Sequence, residues 1–302
     1  MIFQKKWYTD IGDDMNGILL INKEAGFTSR DIVNKIVKKF NTKKVGHTGT
    51  LDPIATGVLV VCVGKATKLV NLLTATKKEY IAEVTLGIET DTLDITGTIL
   101  KEEKVDIKKD KVIEVLNSFK GKYMQEVPNY SAVKINGKKL YEYARENIEV
   151  TLPKREVEVE NISLIDDLYI KDDHIRFKFV CTVSKGTYIR SLIRDICAKL
   201  NVIGCMSNLT RTKQGKFVIE DTKLMDDIEK PDLINIQDVL DIKKIPLSDT
   251  EYFKIKNGQI IKNIYNEDEV MFLYNNNVVA IYKTYEKNKD LLKPYIMIGE
   301  NL

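Results

Sequence analysis

The chain has 302 residues, 43% hydrophobic and 30% charged, enough for one large domain and a small one with a real core and a soluble surface. No apolar run reaches eighteen residues and the opening MIFQKKWYTDIGDDMNG lacks an apolar signal core, so a cytoplasmic protein without a membrane span is predicted. Two histidines, His47 and His174, argue against a histidine-rich metal site, and four cysteines with no CxxC pair read as buried, reduced thiols.

GILLINKEAG (17–26) is an apolar run ending in a turn, hence a strand. TSRDIVNKIVKKF (28–40) places Ile32, Val33, Ile36, Val37 and Phe40 at helical spacing, with Thr28 or Ser29 as cap and Asp31 in the first turn. After the loop GHTGTLDPIATG (46–57), GVLVVCVG (57–64) reads as a strand buried on both faces and 66–78 as a short amphipathic helix. Residues 79–90 alternate, and with GTILKEEKVD beyond the turn DTLDITG they predict a hairpin. Helices are predicted over 110–121 and 137–147, alternating strands over 155–186 with a turn at 171–173, and a helix over 187–201. Short strands follow to about residue 219. Residues 220–245 form an acidic connector, and 246–302 a small all-β module with a hairpin turn at Asn275–Asn277. Strands and helices mix without βαβ alternation, so the predicted class is α+β with a mixed, largely antiparallel sheet flanked by helices.

Charge is uneven along the chain. Residues 32–78 hold nine lysines and one acid, Asp52; residues 176–216 hold nine Lys or Arg and one acid, Asp195; residues 217–251 hold ten acids and four lysines. Two dense basic blocks can converge on one face to bind a polyanion, although either alone also fits an ordinary solvated surface. Nucleotide chemistry lacks support: there is no GxGxxG, and in GVLVVCVGKAT six residues separate Gly57 from Gly64, with Ala66 after Lys65. No cofactor and no metal are predicted.

Asp52 precedes Pro53, which biases it to extended backbone, and lies between Gly49 and Gly57, which permit a tight loop and close approach of a substrate. A cationic surround favours its ionised form and suits it to act as nucleophile, charge stabiliser or partner of a cation. From the loop alone, an aspartate that merely closes an Asx-turn is the more ordinary reading.

GHTGTLDPIATGVL nevertheless resembles, throughout its length, the signature of the TruB family of bacterial tRNA pseudouridine-55 synthases. NGILLINKEAGFTS (16–29), KKEYIAEVTLGIETDTLDITG (77–97), VPNYSAVKINGKKLYEYARE (127–146), VSKGTYIRSLIRDI (183–196) and NLTRTKQGKF (208–217) are similar to the family's other motifs, in family order. The chain departs from the family at Lys23-Glu24, where Lys-Pro is usual, and in its first fourteen residues, expected to be an extension dispensable for catalysis.

The resemblance implies a pseudouridine-synthase fold over 15–245 and a PUA-like RNA-binding module over 246–302. It implies that uridine in the tRNA T-loop becomes pseudouridine without cofactor or metal. By the same resemblance Asp52, Tyr80 and Arg190 are catalytic: Asp52 attacks C1′ or removes the 2′ proton, Tyr80 stacks on the base and acts late at C5, and Arg190 pairs with Asp52. His47, Tyr188, Leu209 and Lys23 are implied to bind substrate, Lys23 either by supporting the pocket or by touching RNA. Outside the resemblance Tyr80 is an ordinary strand aromatic, His47 a loop histidine and Arg190 a surface or phosphate-contacting charge. The implied partner is tRNA, through its T-arm and acceptor arm, with the protein a monomer. An RNA-folding chaperone using the same surface is the alternative. A glycosidase is disfavoured, because no second carboxylate accompanies Asp52.

Overall fold

The computed structural model describes residues 15–299, so the expectation about the first fourteen residues lies outside the described part. In chain order the elements are β1 (Gly17–Lys23), α1 (Ser29–Lys39), β2 (Val45–His47), β3 (Thr56–Val63), α2 (Val70–Thr74), β4 (Lys78–Leu86), β5 (Ile88–Thr90), β6 (Ile99–Glu102), α3 (Lys109–Asn117) and β7 (Gly121–Glu126). Then come β8 (Lys134–Ile135), β9 (Lys138–Lys139), α4 (Leu140–Arg145), β10 (Lys154–Leu164), β11 (Tyr169–Lys171), β12 (His174–Val183), α5 (Ile189–Leu200), β13 (Gly204–Gln214) and β14 (Phe217–Val218). The last are β15 (Lys243–Pro246), α6 (Asp249–Lys256), β16 (Ile261–Lys262), β17 (Glu269–Tyr274), β18 (Asn277–Tyr285) and β19 (Asn288–Met297).

A large sheet runs β1-β3-β13-β4-β12-β10-β7, with β2, β11 and β14 paired alongside β3, β12 and β13. Only β3 and β13 pair in parallel within it; the other pairs are antiparallel. This is the α+β mixed sheet that the irregular strand–helix order predicted.

The unbroken apolar run of β3 serves two cores at once. Leu59, Val61 and Val63 join Ile32 and Ile36 of α1 and Leu192, Ile193 and Ile196 of α5 on one face. Val58, Val60 and Cys62 on the other face pack with Met271, Val278 and Ile281 of the C-terminal sheet. Alternation by two and helical spacing thus converge on one layer. Thr28 caps α1 in a capping box with Asp31, while Asn201 ends α5 in the left-handed region.

Several local expectations are corrected. Residues 66–78 do not form one helix: a 3-10 turn at Gly64–Leu69 leads into the short α2, and Lys78 already begins β4. The hairpin is β5–β6; β4 breaks at Gly87, whose φ of +87° turns the chain out of the central sheet. The predicted helices at 110–121 and 137–147 shorten to α3 and α4, because Gly121 opens β7 and 137–139 belongs to the β8–β9 pair. The expected short strands after residue 201 are mostly one eleven-residue central strand, β13, whose polar sequence hid its position.

The acidic connector is built of 3-10 turns and does more than connect. Ile18 and Ile234 exchange backbone hydrogen bonds of 3.0 and 2.9 Å, and Asn22 donates to the Lys223 carbonyl, so the segment covers the edge left open at β1. Its carboxylates also meet the first basic block, Asp226 with Lys35 and Glu229 with Lys39.

The second sheet, β15-β17-β18-β19-β16, takes its first strand from Lys243, ahead of the expected boundary at 246. It is not all β: residues 249–256 form α6, capped by Ser248 with Glu251. That S-x-x-E signature was visible in SDTE, but the alternation of YFKIKN masked it. Asn275 and Asn276 have φ of 47° and 62°, as the predicted tight hairpin requires. All four cysteines are free and buried, and among the described residues no helix is long and apolar enough to cross a membrane.

Candidate active site

Asp52 sits in the loop between β2 and β3, held on both sides through its backbone. The Ser29 hydroxyl, at the start of α1, receives the Leu51 N–H at 2.8 Å and donates to the Leu51 carbonyl at 3.2 Å. Leu51 itself is buried in the main core. Beyond Asp52, its carbonyl accepts from Ala55 N–H, and the Pro53 carbonyl accepts from Gly26 N–H. The carboxylate is thus presented from an anchored backbone, and its side chain is 34% exposed.

Arg190, in the first turn of α5, meets it from the protein side. Its Nε lies 2.9 Å from Asp52 Oδ2 and its Nη2 donates to Asp52 Oδ1 at 3.1 Å, a two-pronged pair. Nη2 also donates to the Tyr130 carbonyl and Nη1 to the Thr92 carbonyl, each at 3.0 Å. With its side chain only 6% exposed, the guanidinium is fully engaged behind the carboxylate, which alone faces outward. A lysine has no such planar fork and could not serve three partners in this geometry.

Tyr80 lies on β4, its backbone between Cys181 of β12 and Arg211 of β13. Its ring is buried in the same apolar cluster as Leu51, Ala55 and Leu209, and its hydroxyl makes no hydrogen bond among the described residues. Tyr188 precedes α5; its N–H donates to Gln125 Oε1 at 2.8 Å and its carbonyl accepts from Gln125 Nε2 at 3.1 Å. The Arg155 guanidinium lies 5.3 Å over the Tyr188 ring. His47 ends β2 and accepts the Gly49 N–H on Nδ1 at 3.3 Å. Burial, with Arg211 and Arg30 nearby, holds its pKa below the ordinary value, so the imidazole is neutral at pH 7.

Lys23 lies inside the loop. It is 0% exposed, and Nζ donates to the carbonyls of Glu24, Phe27 and Pro53. Burial lowers its pKa to about 8, against an opposing pull from Asp52. It braces the loop from inside.

Sequence reading missed four further residues. Ser29 was seen only as a possible cap. Gln125, fully buried, fixes Tyr188. Arg211 donates from Nε to the Val58 carbonyl at 2.7 Å and from Nη2 to the Gly49 carbonyl at 3.0 Å. Gln214 donates to Thr48 and to the Leu73 carbonyl. Only the motif NLTRTKQGKF hinted at the last two. A cavity of about 790 Å³ lined by Tyr252, Tyr274, Lys256 and Asn16 contains none of the predicted residues; the carboxylate–guanidinium geometry locates the chemistry better than the cavity does.

The basic blocks meet here only in part. Arg190 and Arg211 of the second block grip the loop of the first. Arg176, Arg194 and Lys216, however, are tied to Glu83, Glu126 and Asp241. Lys43, Lys44, Lys68, Lys185 and Lys213 have no carboxylate partner among the described residues.

Known proteins resemble the chain over most of its length. A family model described as TruB family pseudouridylate synthase, N-terminal domain, matches residues 37–189. The chain is 43% identical to tRNA pseudouridine synthase B of Bacillus licheniformis, over 92% of this chain and 96% of that one. It is 44% identical to the Caldanaerobacter subterraneus protein of the same name, over 88% and 94%. Among solved structures, a Cbf5-Nop10-Gar1 complex aligns with a TM-score of 0.69 at 26% identity, covering 95% of this chain and 86% of that one. The chain belongs to the TruB family of pseudouridine synthases.

Proposed function

We propose that the protein isomerises uridine to pseudouridine at position 55 in the T-loop of tRNA, with Asp52 as the reacting carboxylate. The N1–C1′ bond breaks, the uracil turns, and a C5–C1′ bond forms; C5 loses a proton and N1 gains one. The reaction is redox-neutral and consumes no phosphoryl donor. The observation that carries the assignment is the Asp52–Arg190 pair: one partly exposed carboxylate, aligned by a buried guanidinium, on an anchored loop.

Ionised Asp52 suits either of two routes, attack on C1′ or removal of the 2′ proton. Arg190 keeps both carboxylate oxygens in a fixed plane and so supplies orientation in advance of reaction. Tyr80 and Leu209 offer an apolar wall for an extruded base, and the unengaged Tyr80 hydroxyl is available for a late proton transfer at C5. Tyr188 lines the same pocket, and neutral His47 holds apart the flipped nucleotides. Extrusion of a stacked base costs about a few kcal/mol, repaid by stacking and by phosphate contacts to lysines such as Lys43, Lys44 and Lys185. The C-terminal sheet is read as a PUA-like module contacting the acceptor arm, and the protein as a cytoplasmic monomer with no obligate protein partner.

The test is tritium release from 5-tritiated uridine in a folded tRNA transcript. Release confined to position 55 is expected. If pure protein releases none, the isomerase reading fails and tRNA folding without chemistry takes its place.

A further inference from the structure

We infer that Arg211 is a positioning residue that sets the spacing between Asp52 and Tyr80, without itself touching substrate. The inference rests on the isomerase reading above. Three separate features of one residue carry it. First, the backbone of Arg211 is the point at which β13 stands opposite both the strand that bears Tyr80 and the strand that follows the Asp52 loop: it pairs with Tyr80 of β4 on one side and with Gly57 of β3 on the other. Second, its side chain crosses under the Asp52 loop and donates to the carbonyls of Gly49 and Val58, which bracket Asp52 in sequence. Third, Gly57 has φ of +97°, and a Cβ there would lie 2.2 Å from the Arg211 carbonyl, so loop and strand approach as closely as glycine permits.

Arg211 is thus the one described residue joined by main chain to Tyr80 and by side chain to both ends of the Asp52 loop. It is 1% exposed, which leaves no room for a phosphate. No carboxylate pairs with it among the described residues, so the charge is neutralised by no partner and rests on carbonyl dipoles. A buried, unpaired guanidinium is costly to keep. An apolar residue could fill the volume, but only the rigid fork grips two carbonyls at once and fixes the loop against the strand.

Displacing a reacting group by about 1 Å costs on the order of 10²-fold in rate. Arg211→Lys keeps the charge and the aliphatic stem yet loses one grip. It is expected to lower the single-turnover rate of tritium release on the order of 10²-fold while tRNA affinity stays within about threefold of the parent. A residue that only holds the fold together would move rate and affinity together with the melting temperature.

Gly49→Ala probes the same contact from the loop, since its Cβ would press to 3.2 Å from Arg211 Nη1. It is expected to show the same split, and it decides the matter should Arg211→Lys not fold. A rate within about threefold of the parent in either folded variant, or parallel loss of rate and affinity, overturns the inference. An inactive parent instead overturns the isomerase reading, and is recognised before any variant is compared.

Discussion

Replacing Lys23 by methionine removes a buried charge and a loop brace together, and pH separates the two effects. In the fold the Lys23 pKa falls from 10.5 to about 8, chiefly through burial. At 1.36 kcal/mol per pH unit this costs the folded state up to about 3 kcal/mol wherever both states are protonated. The folded pKa lies below the unfolded one, so between pH 8 and 10.5 the unfolded chain binds more protons. Stability from this group therefore rises with pH through that window, and the full penalty applies below pH 8. The methionine variant has no such penalty but leaves the carbonyls of Glu24 and Phe27 without the Lys23 donor, at about 1–3 kcal/mol. At pH 7 the two nearly cancel, so Lys23→Met is expected to fold with close to parental stability. By pH 10.5 the parent has recovered its penalty and is the more stable by up to about 3 kcal/mol. Urea denaturation of both proteins at pH 7, 8, 9 and 10.5 measures the difference. A difference that stays constant to within about 0.5 kcal/mol refutes the burial of an ionised Lys23.

Three further outcomes are expected. Asp52→Asn binds tRNA within about threefold of the parent and loses tritium release on the order of 10³-fold or more; retained activity would exclude Asp52 as the reacting group. Gln125→Leu leaves the Tyr188 N–H without a partner, while the Tyr188 carbonyl keeps the Leu192 N–H, and costs about 1–3 kcal/mol in urea melts, with weaker tRNA binding; unchanged stability would show that water replaces the lost acceptor. Lys185→Gln reduces the slope of log affinity against log salt by about 0.7–0.9, whereas Lys35→Gln, whose partner is Asp226, leaves it unchanged; equal effects would refute the division into paired and available lysines.

What was legible in the sequence follows the range of the interaction. β1, β3 and α1 were readable because apolar run and helical spacing are local patterns, and Asn275–Asn276 because a left-handed turn has its own chemistry. β13 was read only as short strands, since its length and central place are set by neighbours on both sides: β4 on one and the single parallel contact with β3 on the other. Tertiary pairing there extends a segment whose Asn, Arg and Lys weaken the strand signal of its threonines. α6 was lost for the opposite reason, a weakly amphipathic segment whose cap was a better guide than its periodicity.

The site divides along the same line. Asp52 stood out as the lone acid of a basic block, and the ordered motifs attached Tyr80 and Arg190 to it. The electrostatics behind the loop were read only in part, because apart from Arg190 the positive charge was assigned mainly to an RNA backbone. Lys23, Lys78 and Arg211 are buried beneath the loop and donate to main-chain carbonyls, not to phosphates. Composition cannot distinguish a lysine that faces solvent from one that holds a carbonyl, since the difference lies in contacts many residues away in sequence. The contacts of Lys23 and Arg211 hold the loop itself, while Lys78 is held by the Thr74 and Thr76 carbonyls, and together the three make a positive interior near Asp52. Its charge is balanced from below by the fold and aligned by Arg190, and its open side is the one that the proposed function assigns to a sugar.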